Sequence, residues 1–390
     1  MSTLVLQPRA RLFHGHVWVY ATEIKLRTGD PQPGDVVSLK DVRGKPLGTA
    51  IYNPQSQISA RLFSYRRQDL DLDFFQRRIE RAIKTRTDSG IDTSLGRLVW
   101  SESDGLPGLI VDRYHDHLVI QTLTLAMAQR QDLIVEALKN LLNPAAIIER
   151  NDAPVRRAEG LELSKSVLHG TPPPTFEIRH NGMVFQADLL EGQKTGLYLD
   201  QLENYTNVAK LAKGRRVLDC FANQAGFAQA CALAGAESVT AVDVSESAIE
   251  QARQNASAAG LQIELVTANC FDYLKQVSTE EESRFDLIIL DPPSFTRTKQ
   301  SVKDALRGYK EIHLRSLKML QPGGTLVTFT CSHHVGAEDF HGTIADAAVD
   351  ARKTLRRIAT YTQSADHPIM ATIPETEYLR GYAYEVQASW

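Results

Sequence analysis

The spacing of apolar and polar residues changes rhythm twice along the chain. Over residues 1–70 the apolar residues come in short runs, Val36–Leu39, Leu47–Ile51 and Ile58–Leu62. The turn formers Pro33-Gly34-Asp35, Arg43-Gly44 and Asn53-Pro54 split them. Strands cut this often predict a small β-barrel. Between 71 and 180 two rhythms mix. Phe74, Phe75, Ile79 and Ile83 repeat at helical spacing and predict a helix over Asp73–Lys84, and Asp132–Leu142 predicts a second. Leu98–Trp100, Leu109–Asp112 and Leu118–Leu123 are strand-like. This is the pattern of a central α+β domain. It runs up to Thr171-Pro172-Pro173-Pro174, a stiff stretch that cannot continue a helix, and a boundary falls close to it.

From 181 to 390 strand and helix alternate. The strands are Arg216–Phe221, Ser238–Val244, Ile263–Ala268, Phe285–Leu290 and Thr325–Thr330, each nearly continuous in apolar residues. The helices are Gln224–Leu233, Glu246–Ala259, Ser301–Leu320 and Ala337–Lys353. This rhythm predicts a parallel, doubly wound, Rossmann-like sheet. The expectation is an α/β protein of three domains, 1–70, 71–180 and 181–390.

Composition narrows the class. The chain has 390 residues, 43% apolar and 23% charged, which suits soluble domains with proper cores. No apolar run approaches the roughly 20 residues of a bilayer helix. The N-terminus has no apolar core of signal-peptide length. A cytoplasmic protein without a membrane partner is expected. The net charge of −3 gives no hint of nucleic acid, but it is unevenly spread. Residues 1–70 hold ten Lys/Arg against five Asp/Glu, residues 71–180 fourteen against sixteen, and residues 181–390 twenty against 26. The first segment is therefore basic. None of the four cysteines forms a CxxC pair, so no metal site is expected, and Cys220, Cys231 and Cys270 read as small buried side chains.

Ligands of open α/β sheets bind outside the carboxyl ends of the strands, and the chemistry should lie there. The first strand ends in Asp219-Cys220, followed by the small-residue loop Phe221-Ala222-Asn223-Gln224-Ala225-Gly226-Phe227. The loop lacks both the dinucleotide and the P-loop glycine spacing. An acidic residue at this turn suits a cationic amino group better than a pyrophosphate. The second strand ends in Asp243-Val244-Ser245, where a carboxylate can take both ribose hydroxyls. The third ends in Asn269-Cys270-Phe271, whose amide can read an adenine edge. The fourth ends in Asp291-Pro292-Pro293-Ser294-Phe295, a rigid extended turn able to hold a planar base.

In this order the four strand ends resemble the class I S-adenosylmethionine-dependent methyltransferases. The resemblance implies S-adenosyl-L-methionine as cofactor. Asp219, Phe221, Asn223, Gly226 and Phe227 would flank its methionine part. Asp243, Val244 and Ser245 would hold the ribose, and Asn269, Cys270 and Phe271 the adenine. Asp291, Pro292, Pro293 and Phe295 would face the target. Further stretches match in order: Trp18-Val19-Tyr20, Asn53–Ile58, Glu102–Leu109, Lys194–Gln201, Asp366-His367-Pro368 and Pro374–Leu379. With them the whole chain is similar to the RlmI-type family of large-subunit ribosomal RNA cytosine-C5 methyltransferases. That family joins a PUA domain, a central α/β domain and a methyltransferase domain. The resemblance adds Tyr198 and Gln201 to the cofactor residues. Three positions depart from the family. Ala222–Gly226 stands where it commonly has an aromatic or Ser, then Tyr-Thr-Gly-Gly. Leu202 replaces an Arg, and Asn269 an Asp.

Carbon 5 of cytosine is a poor nucleophile. A thiolate adding to carbon 6 turns the ring into an enamine that can attack a methyl sulfonium. Cys331, at the end of the fifth strand, is the candidate, and the family has its nucleophile here. Asp291 is the candidate partner of the cytosine amine. Ser294 stands where many such enzymes carry a second Cys. A ribosomal RNA substrate needs its target base flipped out and its backbone held. After the Asp-Pro-Pro turn come Arg297, Lys299, Lys303, Arg307, Lys310, Arg315 and Lys318. Lys303, Arg307 and Lys310 share one helix face. Two alternatives stay open: a methyltransferase for exocyclic amines of guanine or adenine, and a non-catalytic RNA-binding assembly factor. The sequence leaves the oligomeric state open, a homodimer included.

Overall fold

A computed structural model describes residues 2–8, 10–192, 195–279, 284–296 and 301–388. Arg9, Lys194, Arg297 and Lys299, which entered the motifs and charge runs above, lie outside the described residues. The chain divides into two compact units. The first holds Met1–Phe176, Ala187–Leu199 and Ala365–Thr376; the second holds Glu177–Gln186, Asp200–Ser364 and Glu377–Trp390.

The first unit opens with β1 (Thr3–Leu6), β2 (Trp18–Val19), β3 (Ile24–Thr28), β4 (Val36–Lys40), β5 (Pro46–Tyr52) and β6 (Ala60–Ser64). They form one sheet in the order β2-β6-β5-β4-β1-β3. It curls like a half-barrel, with β2 and β3 as its edges. Alternate residues of β1 and β4 point inward, burying Leu4, Leu6, Val37 and Leu39. The edge strand β3 is almost wholly exposed; its Ile-Lys-Leu-Arg-Thr does alternate apolar and polar residues, a short signal missing from the strands expected from the sequence.

Next come α1 (Leu72–Asp88), β7 (Leu95–Trp100), β8 (Leu109–Tyr114), β9 (His117–Thr122), α2 (Leu125–Ala128), α3 (Gln131–Leu142), β10 (Ala146–Asn151) and β11 (Ser164–Gly170). Asp71 caps α1, accepting the Phe74 N–H at 2.8 Å. The helix buries Phe74, Phe75, Ile79 and Ala82 against the five-stranded sheet β11-β10-β9-β8-β7. Ile51 and Phe63 of the half-barrel share that core with Phe74, Leu98 and Val111. The two sheets are therefore fused by packing.

The second unit contains the hairpin β12 (Phe176–His180) and β13 (Met183–Ala187) apart from its end residues Phe176 and Ala187, then α4 (Leu202–Ala209), β14 (Arg216–Cys220), α5 (Gly226–Leu233), β15 (Ser238–Asp243), α6 (Glu246–Ala258), β16 (Glu264–Thr267), α7 (Cys270–Val277), β17 (Leu287–Leu290), α8 (Val302–Met319), β18 (Thr325–Thr330), α9 (Ala337–Asp350), β19 (Thr354–Thr362) and β20 (Arg380–Gln387). The seven-stranded sheet runs β16-β15-β14-β17-β18-β20-β19. It is parallel from β16 to β18, as the βα rhythm predicts. The last two strands are antiparallel, which corrects the wholly parallel expectation. β19 lies at the edge with one face open, so its sequence shows no apolar run. From β14 the chain winds outward through β15 to β16, then returns to lay β17 on the other side of β14. The switch point, where open α/β sheets bind ligands, is the crevice between β14 and β17.

Candidate active site

Four strand ends meet around that crevice. Register places Cys220 opposite Val242 on one side and Leu290 on the other, with Leu290 opposite Thr328 of β18. Asp219, Asp243, Asp291 and Cys331 thus all lie at the carboxyl edge of adjacent strands.

Asp219 is buried. Its Oδ2 accepts the Ala228 N–H at 3.0 Å, while its Oδ1 has no protein partner. Burial pushes the carboxyl well above its ordinary range. The Ala228 N–H opposes this, and the carboxylates of Asp291 and Asp243 add to it. Three acidic groups therefore face one another with no basic group among the causes acting on Asp219. Asp243 accepts N–H bonds from Asn223 and Ser245, both at 2.9 Å, which ties the first loop to the second strand end. Ser245 caps α6, and Val244 is largely exposed.

The first loop is strained. Phe221, Asn223 and Ala225 all have positive φ, at 63°, 48° and 61°. Asn adopts this region readily, but Phe and Ala do so at a cost of roughly 1–2 kcal/mol each. Ala225 stands where the resembling family has glycine, so the structure supplies the reason for that glycine. Gly226 opens α5 against a ring: a Cβ there would come within 2.5 Å of Tyr205. Phe227 points into the core between Tyr205 and Phe329. These two residues shape the helix that bears the loop.

On the third strand end, Asn269 caps α7, accepting from Phe271 N–H at 2.9 Å and Asp272 N–H at 3.4 Å. Its amide oxygen thus has a local structural use. Cys270 is buried and accepts the Phe221 N–H at 3.2 Å. Burial raises the thiol of its neighbour Cys220 well above the ordinary range. Phe221, Phe271 and Phe295 form an aromatic wall with centroids 5.6–6.3 Å apart, and Tyr309 lies 4.7 Å beyond Phe295.

Asp291 accepts a hydrogen bond from Gln201 Nε2 at 2.9 Å. Pro292 is buried, while Pro293 and Ser294 are exposed. Cys331 is the one cysteine of the four that is not buried. The preceding Thr330 is anchored twice: its hydroxyl pairs with Tyr309 Oη at 2.8 Å and accepts the Ser332 N–H at 3.3 Å. The backbone on both sides of the thiol is thereby held. Tyr309 is buried, which raises its hydroxyl; Thr330 opposes this, and the nearby Cys331 and Asp291 charges add to it. His313, buried beneath, is pushed down to about 3 by desolvation and stays neutral. His333 and His334 are exposed.

On α8, Lys303 and Arg307 are exposed and Lys310 half-buried. Arg307 pairs with Asp304 at 3.1 Å and Lys310 with Asp350 at 2.9 Å. Tyr198 belongs to the first unit, whereas Gln201 belongs to the second. The sequence reading missed Asn204, Tyr309 and Thr330 as site residues. Tyr309 looked like one more member of an apolar helix face, and Thr330 like an ordinary strand residue. Among the described residues no cluster of His, Cys, Asp and Glu could hold a metal ion, and no helix is long and apolar enough to cross a membrane.

A sheet parallel from β16 to β18, with acidic residues at the strand ends around its switch point, fits the class I S-adenosylmethionine-dependent methyltransferases. The family model described as S-adenosylmethionine-dependent methyltransferase matches residues 157–362, and a PUA-like domain model matches residues 7–65. A solved structure from Streptococcus mutans, described as a candidate SAM-dependent methyltransferase, superposes with a TM-score of 0.83. It is 22% identical and is matched over 99% of this chain and 100% of its own. Another candidate methyltransferase, solved with SAH, superposes with a TM-score of 0.85 at 23% identity over the same shares. The "Ribosomal RNA large subunit methyltransferase I" of Erwinia tasmaniensis is 38% identical over 96% of both chains. Its namesake in Vibrio cholerae is 38% identical over 95% of both. The chain belongs to this ribosomal RNA large subunit methyltransferase I family.

Proposed function

We propose that the chain methylates carbon 5 of a cytosine in large-subunit ribosomal RNA, with Cys331 as covalent nucleophile. One observation carries the reading. Cys331 is the accessible thiol of the four, and it sits on the strand next to Asp291, at the carboxyl edge of the sheet. The residues present fit the cofactor. The unpartnered buried Oδ1 of Asp219, among three carboxylates, suits a cationic ammonium, and the Phe221–Phe271 wall suits an adenine face. When bound, the cofactor supplies an electrophilic methyl sulfonium.

The rest falls to the chain. The Cys331 thiolate adds to carbon 6 of the flipped base while Asp291 accepts from the cytosine amine or the protonated ring nitrogen. Carbon 5, now enamine-like, takes the methyl group. Loss of its proton then restores the ring and expels the thiolate. The half-barrel of residues 1–70 serves as an RNA anchor, residues 71–180 as the central domain, and residues 181–390 as the methyltransferase domain. The PUA-like match over residues 7–65 and the excess of basic residues in 1–70 support the anchor, and the relatives' names support a ribosomal RNA substrate.

The test is a trap. RNA carrying 5-fluorocytidine at the target cannot lose its carbon-5 substituent, so it should stay linked to the wild-type chain and migrate with it on a denaturing gel. Cys331→Ala should give no linked species and no 5-methylcytidine by mass spectrometry, while cofactor affinity measured by calorimetry is kept. Retained 5-methylcytidine formation by Cys331→Ala would refute the nucleophile.

A further inference from the structure

We infer that Gln201 and Asn204 are positioning residues that hold Asp291 as a hydrogen-bond acceptor and so set the selectivity for cytosine over uracil. The inference rests on the cytosine reading above and extends it to residues that do not touch the base.

The argument is one of direction. The terminal partner of the chain of bonds is the backbone carbonyl of Thr362, which can only accept. Asn204 Nδ2 donates to it at 2.8 Å, so the amide nitrogen of Asn204 faces that way. The same nitrogen donates its other proton to Gln201 Oε1 at 2.7 Å. Gln201 must then turn its own nitrogen the other way, and it donates to Asp291 Oδ2 at 2.9 Å. Neither amide can flip without setting like against like: oxygen on the Thr362 carbonyl, or oxygen on the Asp291 carboxylate. Gln201 is 2% exposed and Asn204 3%, so water does not offer an easy substitute for either bond. The relay thus hands the polarity of one main-chain carbonyl through two side chains to the carboxylate at the strand end.

The consequence is chemical. An Asp291 held by an N–H donor is favoured as the ionised acceptor. Cytosine presents a donor amine at the Watson–Crick edge where uracil presents an acceptor oxygen, so an ionised Asp291 accepts one and repels the other. Ionisable groups near Asp291 include Asp219 from the neighbouring strand end and Tyr309 from α8, with Asp243 beside Asp219 and Cys331 beside Tyr309. Asp200, buried beside Gln201, accepts from Tyr378 Oη at 2.8 Å. The Asp219 carboxylate favours protonation of Asp291, and the N–H donated by Gln201 opposes it.

Two near-isosteric variants test this. Gln201→Glu replaces the donor by a second carboxylate. Asn204→Asp leaves only acceptors against the Thr362 carbonyl and reverses the relay from its far end. Both should move the acid limb of the pH profile of kcat/KM upward by about one unit or more, as like charges do. Both should also lower the cytosine-over-uracil ratio of kcat/KM at the target by about tenfold or more. Circular dichroism and the melting temperature report that each variant is folded. If both fold and both keep the wild-type acid limb and ratio, the relay is merely structural and the inference falls. The Cys331 trap on wild-type protein is read in parallel. A methylated nucleoside other than 5-methylcytidine there would refute the underlying reaction and not the relay, whose pH shift would remain.

Discussion

The most expensive residue of the site is Asp219. Its folded-state proton affinity is raised by burial and by Asp291 and Asp243. A carboxyl raised in this way supports the fold fully below its unfolded value near 4 and loses that support as pH rises through the folded value. At neutral pH and above it therefore weighs against the fold. An amide would keep the bond from Ala228 and offer a donor to the carboxylates. Asp219→Asn is expected to raise the melting temperature at pH 8, by roughly 2–4 °C for each kcal/mol relieved. The gain should shrink toward pH 5, and cofactor affinity should fall. Scanning calorimetry at both pH values checks the sign, and a lower melting temperature at pH 8 would contradict it. The residue types at the site were readable from the sequence because each strand end carries a single acidic residue or Asn. Their partners were not. Gln201 and Asn204 are separated from Asp291 by some ninety residues of chain, and only folding makes them one relay.

At the scale of elements, α8 carries a double role. Its buried face brings Tyr309 to Thr330 and so braces the backbone before Cys331, the proposed nucleophile. Its open face carries Lys303 and Arg307. The exposed pairing of Arg307 with Asp304 is worth no more than about 1 kcal/mol and does not prevent a phosphate from taking that cation. Lys303→Glu with Arg307→Glu should weaken RNA binding. The slope of log affinity against log salt should drop by about 1.4, at about 0.7 per single-strand phosphate contact. Cofactor affinity should not change. An unaltered salt slope would remove α8 from the RNA-binding surface. The helix was predicted at Ser301–Leu320 and runs Val302–Met319, because Ala305, Tyr309, Ile312 and Leu317 keep a clean helical period. The eight-residue helices α4 and α7 escaped notice. They are too short to show a clear period; α7 is capped locally by Asn269, and α4 has no side-chain cap.

At the scale of the molecule, the half-barrel cannot simply be cut away to test its part in RNA binding. Ile51 and Phe63 belong to the core that also holds Phe74 and Leu98. Removing residues 1–70 should expose that core and lower the melting temperature of what remains, whatever happens to RNA. Charge reversal on the open edge strand is the sounder probe. Lys25→Glu with Arg27→Glu, both on exposed positions of β3, should lower RNA affinity and leave the melting temperature and cofactor affinity near wild type. Binding isotherms at two salt concentrations measure the first, and unchanged RNA affinity would take this edge out of the interface.

The sequence by itself determined the parallel core of the methyltransferase sheet, the order of its acidic strand ends and the place of Cys331. These follow from local periodicity and from single residues at strand ends, which neighbours in the chain suffice to reveal. The tertiary structure alone decided the antiparallel strands β19 and β20, the fusion of the half-barrel with the second sheet, and the bonds that orient Asp291 and Cys331. Each of these depends on groups that are far apart in the chain and meet only in the fold. A hydrogen bond or a shared core leaves no period in the sequence by which to find it.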